Sequence, residues 1–160
     1  MKTGGGKAKG HDYEQRVARL LSEHFGVVFR RTPLSGGWDT MSESKGSWAP
    51  GDIVCVDLAF PWCVETKKQE GWTLEQILRG SCETFPLWWK QCITQADSMG
   101  KYPLLVFSRN FQGDFAATSP VSLVQAPPNS IMITQGVVKP ALVMTFEDWL
   151  KFHERWEPKR

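Results

Sequence analysis

The stretch that decides the fold reads PGD at residues 50–52, IVCVDLAF at 53–60 and PWCVETK at 61–67. Its β-branched and apolar residues predict a strand over Asp52–Phe60, a break at Pro61 and a second strand over Trp62–Lys67. Side chains alternate between the two faces of a strand, so Glu65 and Lys67 point the same way. Opposite charges at one end of an apolar strand need each other, a metal ion or a ligand.

The acids and the lysine of this hairpin match the needs of phosphodiester hydrolysis. Asp52 opens the first strand and can meet Glu65 across the hairpin. Two converging carboxylates form the hard-oxygen site that Mg²⁺ prefers, and a nearby lysine can orient a water molecule or stabilise charge on a phosphate. An ordinary cross-strand salt bridge of Lys67 with Glu65 or Asp52 is the alternative interpretation, and the motif alone leaves it open.

The rest of the chain predicts helices and strands around one mixed sheet. Apolar residues at three- and four-residue steps predict a first helix that Gly26 ends, and Thr145 with Asp148 three residues later resembles a capping box for a last helix. The order of elements argues for an α/β or α+β fold. The predicted helices are His11–Phe25, Thr73–Arg79, Pro86–Met99 and Thr145–Trp156, and the further strands are Val27–Arg31, Pro103–Ser108, Val121–Val124, Ile131–Thr134 and Ala141–Met144.

The length and the charge of the chain limit the classes of protein to which it can belong. The 160 residues predict one domain over 11–160, preceded by a flexible basic arm over 1–10. The net charge is only +2, yet residues 1–31 carry seven Lys or Arg against three acids. A glycine-spaced basic arm before a basic first element suits a polyanion, although a solvated tail that aids solubility would have the same composition.

Several other classes are disfavoured. No run of eighteen apolar residues predicts a membrane span, and no apolar stretch follows the N-terminal lysines, so no secretory signal is expected. The four cysteines, at positions 55, 63, 82 and 92, form no C-x-x-C pair, which argues against a zinc site. We expect them to be reduced in a cytoplasmic protein, in the host cytoplasm if the chain is phage-encoded.

The spacing of the hairpin motif and its flanking helices resembles the PD-(D/E)xK nuclease superfamily, with its restriction-endonuclease-like α/β fold. The first 67 residues look more specifically like the archaeal-type Holliday junction resolvases, including phage-encoded relatives. That family opens with a basic Lys-Gly arm and a helix with an early Glu, followed by a strand ending in Arg, a Ser loop and the Asp…Glu-x-Lys hairpin. The matching residues here are Lys9-Gly10, Glu14, Arg31, Ser35-Gly36-Gly37, Asp52 and Glu65-Thr66-Lys67.

This resemblance implies roles for individual residues. Glu14, Asp52 and Glu65 would bind Mg²⁺, which Mn²⁺ would be able to replace, and Lys67 would be the catalytic lysine. Ser35 would lie in a mobile loop that closes over the cut strand. By sequence alone, Glu14 is only an acid in the first turn of a helix, where the helix dipole favours it. The residues expected to contact DNA phosphates are Lys2, Lys7, Lys9, Arg30 and Arg31.

Two site assignments have alternatives. The family often places its Asp just after the Ser loop, where Asp39 stands; Asp52 is preferred because it begins a strand at the right distance from Glu65. Gln91 lies on the helix after the hairpin, where some nucleases of the superfamily use a Gln, although an exposed helix face is the simpler interpretation.

The expected activity is Mg²⁺-dependent cutting of four-way DNA junctions by paired nicks. Symmetric cutting needs two active sites, so a homodimer is expected. The alternatives are a nuclease of the same fold that acts on duplex, nicked or flapped DNA, and a non-catalytic DNA-binding protein, because fold does not fix function.

Overall fold

A computed structural model describes residues 5–32, 51–120 and 125–154. Within these ranges the chain forms a mixed sheet in the order β1-β2-β3-β4-β5-β7-β6, in which β3 and β4 are parallel and the other neighbours are antiparallel. The strands are β1 (Phe29–Arg31), β2 (Ile53–Cys55), β3 (Trp62–Lys68), β4 (Tyr102–Ser108), β5 (Phe115–Thr118), β6 (Ile131–Ile133) and β7 (Ala141–Thr145). The helices are α1 (Gly5–Phe25), α2 (Leu74–Leu78), α3 (Thr84–Met99) and α4 (Phe146–Phe152).

Helices cover both faces of this sheet. The predicted apolar stripe of α1 is buried and packs with α4 against one face, which includes Val64 and Leu104. Helices α2 and α3 pack against the other face, which includes Leu105 and Phe107. The alternation of β4 side chains between the two clusters follows from the period of a strand. The predicted α/β class, with a central mixed sheet flanked by helices, is confirmed.

Helix α1 is longer than predicted. It begins at Gly5 rather than at His11, so the described part of the predicted flexible arm is helical. Lysine and alanine are good helix formers, and extending an existing helix is much easier than starting one. A helix that forms over the amphipathic stretch after His11 can therefore extend toward the N-terminus through a glycine-containing segment.

Strand β2 is shorter than predicted because Asp57 makes a turn. The Ala59 N–H donates to Asp57 Oδ1 at 2.9 Å, and the Phe60 N–H donates to the Asp57 carbonyl at 3.1 Å. An aspartate that binds the backbone two residues later competes with strand pairing. The apolar residues after Cys55 therefore belong to a turn rather than to the strand.

Strand β5 was not predicted. Its sequence, Phe-Ala-Ala-Thr, shows no alternation and is rich in alanine, which has low β propensity. The strand forms because β5 pairs with β4 and β7 on its two sides, while Ala116 and Ala117 are buried in the cores on the two faces of the sheet. The last helix ends at Phe152 rather than at Trp156, although the predicted N-cap is present: Thr145 Oγ1 accepts from the Asp148 N–H at 3.1 Å.

Two further expectations concern the cysteines and membrane-spanning helices. The four cysteines are buried and none is in a disulfide, as expected for reduced thiols. None of the helices in the described ranges is long and apolar enough to cross a membrane. The predicted strand Val121–Val124 lies outside the described residues.

Candidate active site at the end of strand β3

Glu65 and Lys67 share one face of β3, as the alternation predicts. Lys67 Nζ lies 3.2 Å from Glu65 Oε1, and Gln91 Nε2 of α3 donates to the same oxygen at 3.0 Å. The Glu65 side chain is only 2% exposed. Its other carboxylate oxygen, Oε2, is buried without a hydrogen-bond partner. The structure therefore brings together three predicted site residues and leaves one acceptor atom unsatisfied.

Asp52 is held where β2 separates from β3. Its Oδ2 accepts from the Thr66 N–H at 2.9 Å and from Thr66 Oγ1 at 3.1 Å. Its own N–H donates to the Val64 carbonyl at 2.9 Å. Thr66, the middle residue of Glu65-Thr66-Lys67, was not predicted to contribute. The signal for it in the sequence was its place in a strand, where a backbone N–H can bond to a neighbouring segment of the chain. Both its backbone and its side chain orient Asp52 toward the end of β3.

Gly51 makes this approach possible. Its φ of +92° is unfavourable for L-residues, and a Cβ at this position would lie 2.8 Å from the Val64 carbonyl oxygen. Only glycine lets the chain pass this close to β3 and deliver Asp52 to Thr66.

Glu14 reaches the same region from α1. It is buried, and Arg31 Nε donates to its Oε2 at 2.5 Å. Burial is the main cause that raises the pKa of Asp52 and of Glu65, and the charge of Glu14 adds to both shifts, so Glu14 lies within electrostatic range of the other two acids. Arg31, predicted to contact a phosphate, lies in an ion pair with Glu14, and its contact with DNA stays a prediction.

Burial raises the pKa of both hairpin acids. Desolvation is the main cause for Glu65, whose pKa rises to about 8, and the nearby charge of Asp52 adds to this while Lys67 opposes it. Desolvation also raises the pKa of Asp52, against the opposing hydrogen bond from the Thr66 backbone. Two buried carboxylates that lack full compensation are expensive to ionise, and a cation would lower that cost.

The donor set fits a divalent cation held by Asp52 and Glu65. The unsatisfied Glu65 Oε2 and the Asp52 carboxylate are the hard oxygen ligands that Mg²⁺ takes. Within the described ranges, however, no three side chains among His, Cys, Asp and Glu converge closely enough to form a metal cluster. A metal-binding role for Glu14 therefore stays a prediction.

A basic pocket lies on the other side of β3, against α1. It has a volume of about 260 Å³ and is lined by Lys9, Asp12, Tyr13, Arg16, Lys68 and Asn110. Arg16 is fixed there by a two-pronged contact with Asp114 at 2.6 and 2.8 Å. Lys68 Nζ lies 5.7 Å from the centre of the Tyr13 ring. Lys9 was predicted to bind DNA; Lys68 was missed, although its position directly after Lys67 places it on the opposite face.

The remaining predicted residues are placed as follows. Arg30 is exposed on β1. Ser35, Asp39, Lys2 and the side chain of Lys7 lie outside the described residues. Because Asp39 is among these residues, the choice of Asp52 over Asp39 stays a prediction.

A buried acid pair at the end of a β-hairpin, with a lysine two residues after the second acid, is the arrangement of a PD-(D/E)xK nuclease. Residues 5–156 match the family described as "Phage putative PDDEXK endonuclease", and the chain belongs to that family. It is an endonuclease of the PD-(D/E)xK type, acts on DNA and is of a class that uses divalent metals. This membership agrees with the predicted superfamily and its restriction-endonuclease-like fold.

Among solved structures, the chain is similar to Hjc of Archaeoglobus fulgidus, described as a Holliday junction resolvase from an archaeal hyperthermophile. The identity is 12%, with 88% of this chain and 87% of that chain covered, and the TM-score is 0.39. A similarity this low supports no conclusion about activity or substrate. No match was found among curated proteins.

The close approach of Gly51 to β3 predicts the effect of Gly51→Ala. The added Cβ clashes with the Val64 carbonyl and disfavours the backbone conformation, so we expect a loss of about 2 kcal/mol in the free energy of unfolding. Cleavage should also fall because Asp52 shifts. Urea denaturation and DNA cleavage assays measure both, with Gly113→Ala as the control, since a Cβ there meets nothing within 4 Å. A Gly51→Ala variant as stable and active as wild type would contradict this role.

The raised pKa of Glu65 predicts how the stability of the metal-free protein depends on pH. Between the ordinary value of 4.5 and about 8, the folded protein holds a proton that the unfolded chain releases. The free energy of unfolding therefore falls as the pH rises through this range. Glu65→Gln removes the charge, so the variant should be more stable than wild type at pH 8 by more than about 1 kcal/mol and similar to it at pH 5.

Urea denaturation in EDTA at the two pH values tests this expectation. Glu83→Gln, which alters an exposed acid at the start of α3, is the matched control and should change stability little at either pH. A Glu65→Gln variant that is less stable than wild type at pH 8 would show that the Glu65 charge is already compensated in the metal-free protein.

Proposed function

We propose that this protein is a Mg²⁺-dependent endonuclease that resolves four-way DNA junctions by paired nicks in opposing strands. The observation that carries the proposal is the arrangement of Asp52, Glu65 and Lys67 at the end of β3, where Glu65 keeps a buried oxygen without a partner. Asp52 and Glu65 would hold the metal ion, with Glu14 as a third acid nearby. A bound Mg²⁺ supplies Lewis-acid polarisation of the phosphate and a more acidic water molecule.

The protein's own groups do the positioning. Thr66 fixes the direction of the Asp52 carboxylate, and Gln91 fixes one oxygen of Glu65. The Lys67 ammonium lies beside Glu65 and is only partly buried, so it can reach a phosphate at the site. There it would hold the attacking water or stabilise the charge that develops on the phosphate.

The DNA path follows the exposed cations around this site. Lys9 and Lys68 line the basic pocket on the α1 side of β3, and Arg30 is exposed on β1. Phosphate contacts by these groups would guide the strand over the end of β3. Lys2 and Lys7 would contact further phosphates. Ser35 would lie in a loop that closes over the cut strand, as the resemblance to resolvases implies.

The proposal also includes a preference for four-way junctions and the formation of a homodimer. Junction specificity is supported by the similarity of the first 67 residues to resolvases, from Lys9-Gly10 to Glu65-Thr66-Lys67. Two symmetric nicks need two active sites, and the described chain forms one, so a homodimer is proposed. The host cytoplasm, where phage DNA recombines, is the proposed location.

The roles of the acid pair and the lysine predict loss of cleavage in Asp52→Asn and Lys67→Ala. Both changes remove charge from the site without touching the outer basic residues, so junction binding should survive. The assay compares labelled four-way junction with a linear duplex of matched sequence, in Mg²⁺ or EDTA. Asp57→Asn, an acid-to-amide change at the opposite end of the hairpin, is the control and should cut like wild type, because an amide oxygen can still accept from Ala59.

Each outcome of this assay has a distinct meaning. Mg²⁺-dependent paired nicks on the junction alone, lost in Asp52→Asn, are the expected result. Equal cutting of both substrates would reject junction selectivity and favour a nuclease for duplex, nicked or flapped DNA. Tight binding without any cutting would favour the non-catalytic alternative. Cutting that persists in Asp52→Asn and is lost in Asp39→Asn would move the metal site to Asp39.

The basic pocket predicts the salt dependence of DNA binding. Lys68→Ala should remove one phosphate contact, which reduces the slope of log K against log salt by about one. The matched control is Lys139→Ala, which removes an exposed lysine paired with Asp97 near the start of β7, at the other end of the sheet. Fluorescence anisotropy in EDTA at several salt concentrations measures the slopes. An unchanged slope for Lys68→Ala would place the pocket outside the DNA interface.

A further inference from the structure

The loop between β4 and β5 presents a phenylalanine to solvent. Phe111 is fully exposed and has a φ of +60°, in the left-handed region that residues other than glycine seldom adopt. An exposed aromatic side chain gains nothing from folding, and its backbone conformation is unfavourable. Neither feature stabilises the fold.

The loop beneath Phe111 is held in place by hydrogen bonds. The buried Ser108 hydroxyl lies within hydrogen-bond distance of the Arg109, Gln112 and Gly113 carbonyl oxygens, at 3.2, 3.4 and 3.2 Å. The Asn110 N–H donates to Glu70 Oε1 at 2.6 Å, which ties the loop to the segment after β3. The Phe111 ring is therefore presented from an ordered base.

The loop leaves the sheet beside the active site. Strands β3 and β4 are parallel, with Lys67 paired to Phe107 and Lys68 paired to Ser108. The chain turns three residues after Ser108 to place Phe111, and its neighbour Asn110 lines the basic pocket with Lys9 and Lys68. A DNA strand that contacts this pocket and the active site would pass next to the Phe111 ring.

We infer that Phe111 stacks on a base that is unpaired or exposed at an interruption of the duplex, while Lys9 and Lys68 hold the adjoining phosphate. The inference rests on the proposed function, since it concerns recognition of DNA by the same site. Aromatic rings beside cations are a common means of binding exposed bases, because every base offers a π face. Intact duplex offers no free face along its length, so the contact selects interrupted DNA.

The surroundings of Phe111 favour a nucleic acid over an apolar protein partner. Its chain neighbours are Arg109, Asn110, Gln112 and Gly113, and the nearby pocket is lined by polar and charged groups. An apolar protein surface would leave these groups without partners, whereas phosphates and bases would satisfy them.

The test measures binding without cleavage, in EDTA, by fluorescence anisotropy. Two labelled probes are used: a duplex with a three-thymine bulge and the same duplex without it. Phe111→Ala should weaken binding to the bulged DNA about tenfold and change binding to intact duplex by less than about twofold. Phe111→Trp should retain binding to the bulged DNA, because a larger ring preserves stacking.

The matched control is Leu58→Ala, which removes another highly exposed apolar side chain, at the opposite end of β3 in the β2–β3 turn. It should leave binding to both probes unchanged. Sedimentation velocity of each variant, together with its thermal unfolding, shows whether assembly and folding are intact.

Four results would overturn the inference. They are equal weakening by Phe111→Ala on both probes, no weakening on either, the same pattern in Leu58→Ala, and conversion of a dimer to monomer by Phe111→Ala. In each of these cases, the proposed nuclease function would still stand if the wild-type protein cut DNA. Wild-type protein that bound neither probe but bound and cut the four-way junction would overturn this inference alone, whereas wild-type protein that neither bound nor cut any DNA, the junction included, would overturn the proposed function as well.

Discussion

The burial of the Glu65 carboxylate is the constraint on which the site depends. Glu65 lies on β3, between β2 and β4, and is almost fully shielded from water. Lys67 and Gln91 both contact one of its oxygens, and the other has no partner. The protein alone therefore leaves part of this charge uncompensated, so the metal-free protein keeps a proton on Glu65 up to a pH of about 8, and a bound cation is the alternative that would stabilise the charged form. Such a carboxylate binds a cation more strongly than one already satisfied by the fold.

The apolar layers on both faces of the sheet offset this cost. The aromatic and aliphatic side chains of α1 and α4 form one core, and those of α2 and α3 form the other. Between them, β3 and β4 run parallel with seven paired positions, which fixes the end of β3 against a second strand. Because the two cores secure β3 independently of its charged end, the site can keep a destabilising acid pair without loss of the fold.

The sequence predicts what depends on local periodicity. The α1 stripe, the two strands of the hairpin and the shared face of Glu65 and Lys67 all follow from side-chain spacing. Features set by distant contacts could not be predicted from it. Strand β5 forms because it pairs with β4 and β7, which are distant in the sequence, and the pairing of Arg31 with Glu14 needs α1 to lie beside β1. The basic pocket gathers residues from α1, β3 and the β4–β5 loop, which no local pattern connects.

Adjacent lysines on β3 would let both faces of the sheet contact one DNA strand in the proposed complex. Lys67 points toward α3 and contacts Glu65, whereas Lys68 points toward α1 and lies over Tyr13. Because neighbouring side chains on a strand face opposite ways, the two lysines lie on opposite faces of the sheet. A DNA strand that contacts both must cross the end of the sheet, from the acid pair on one side to the cationic pocket on the other. That path would place the β4–β5 loop beside the DNA, since β4 ends next to β3.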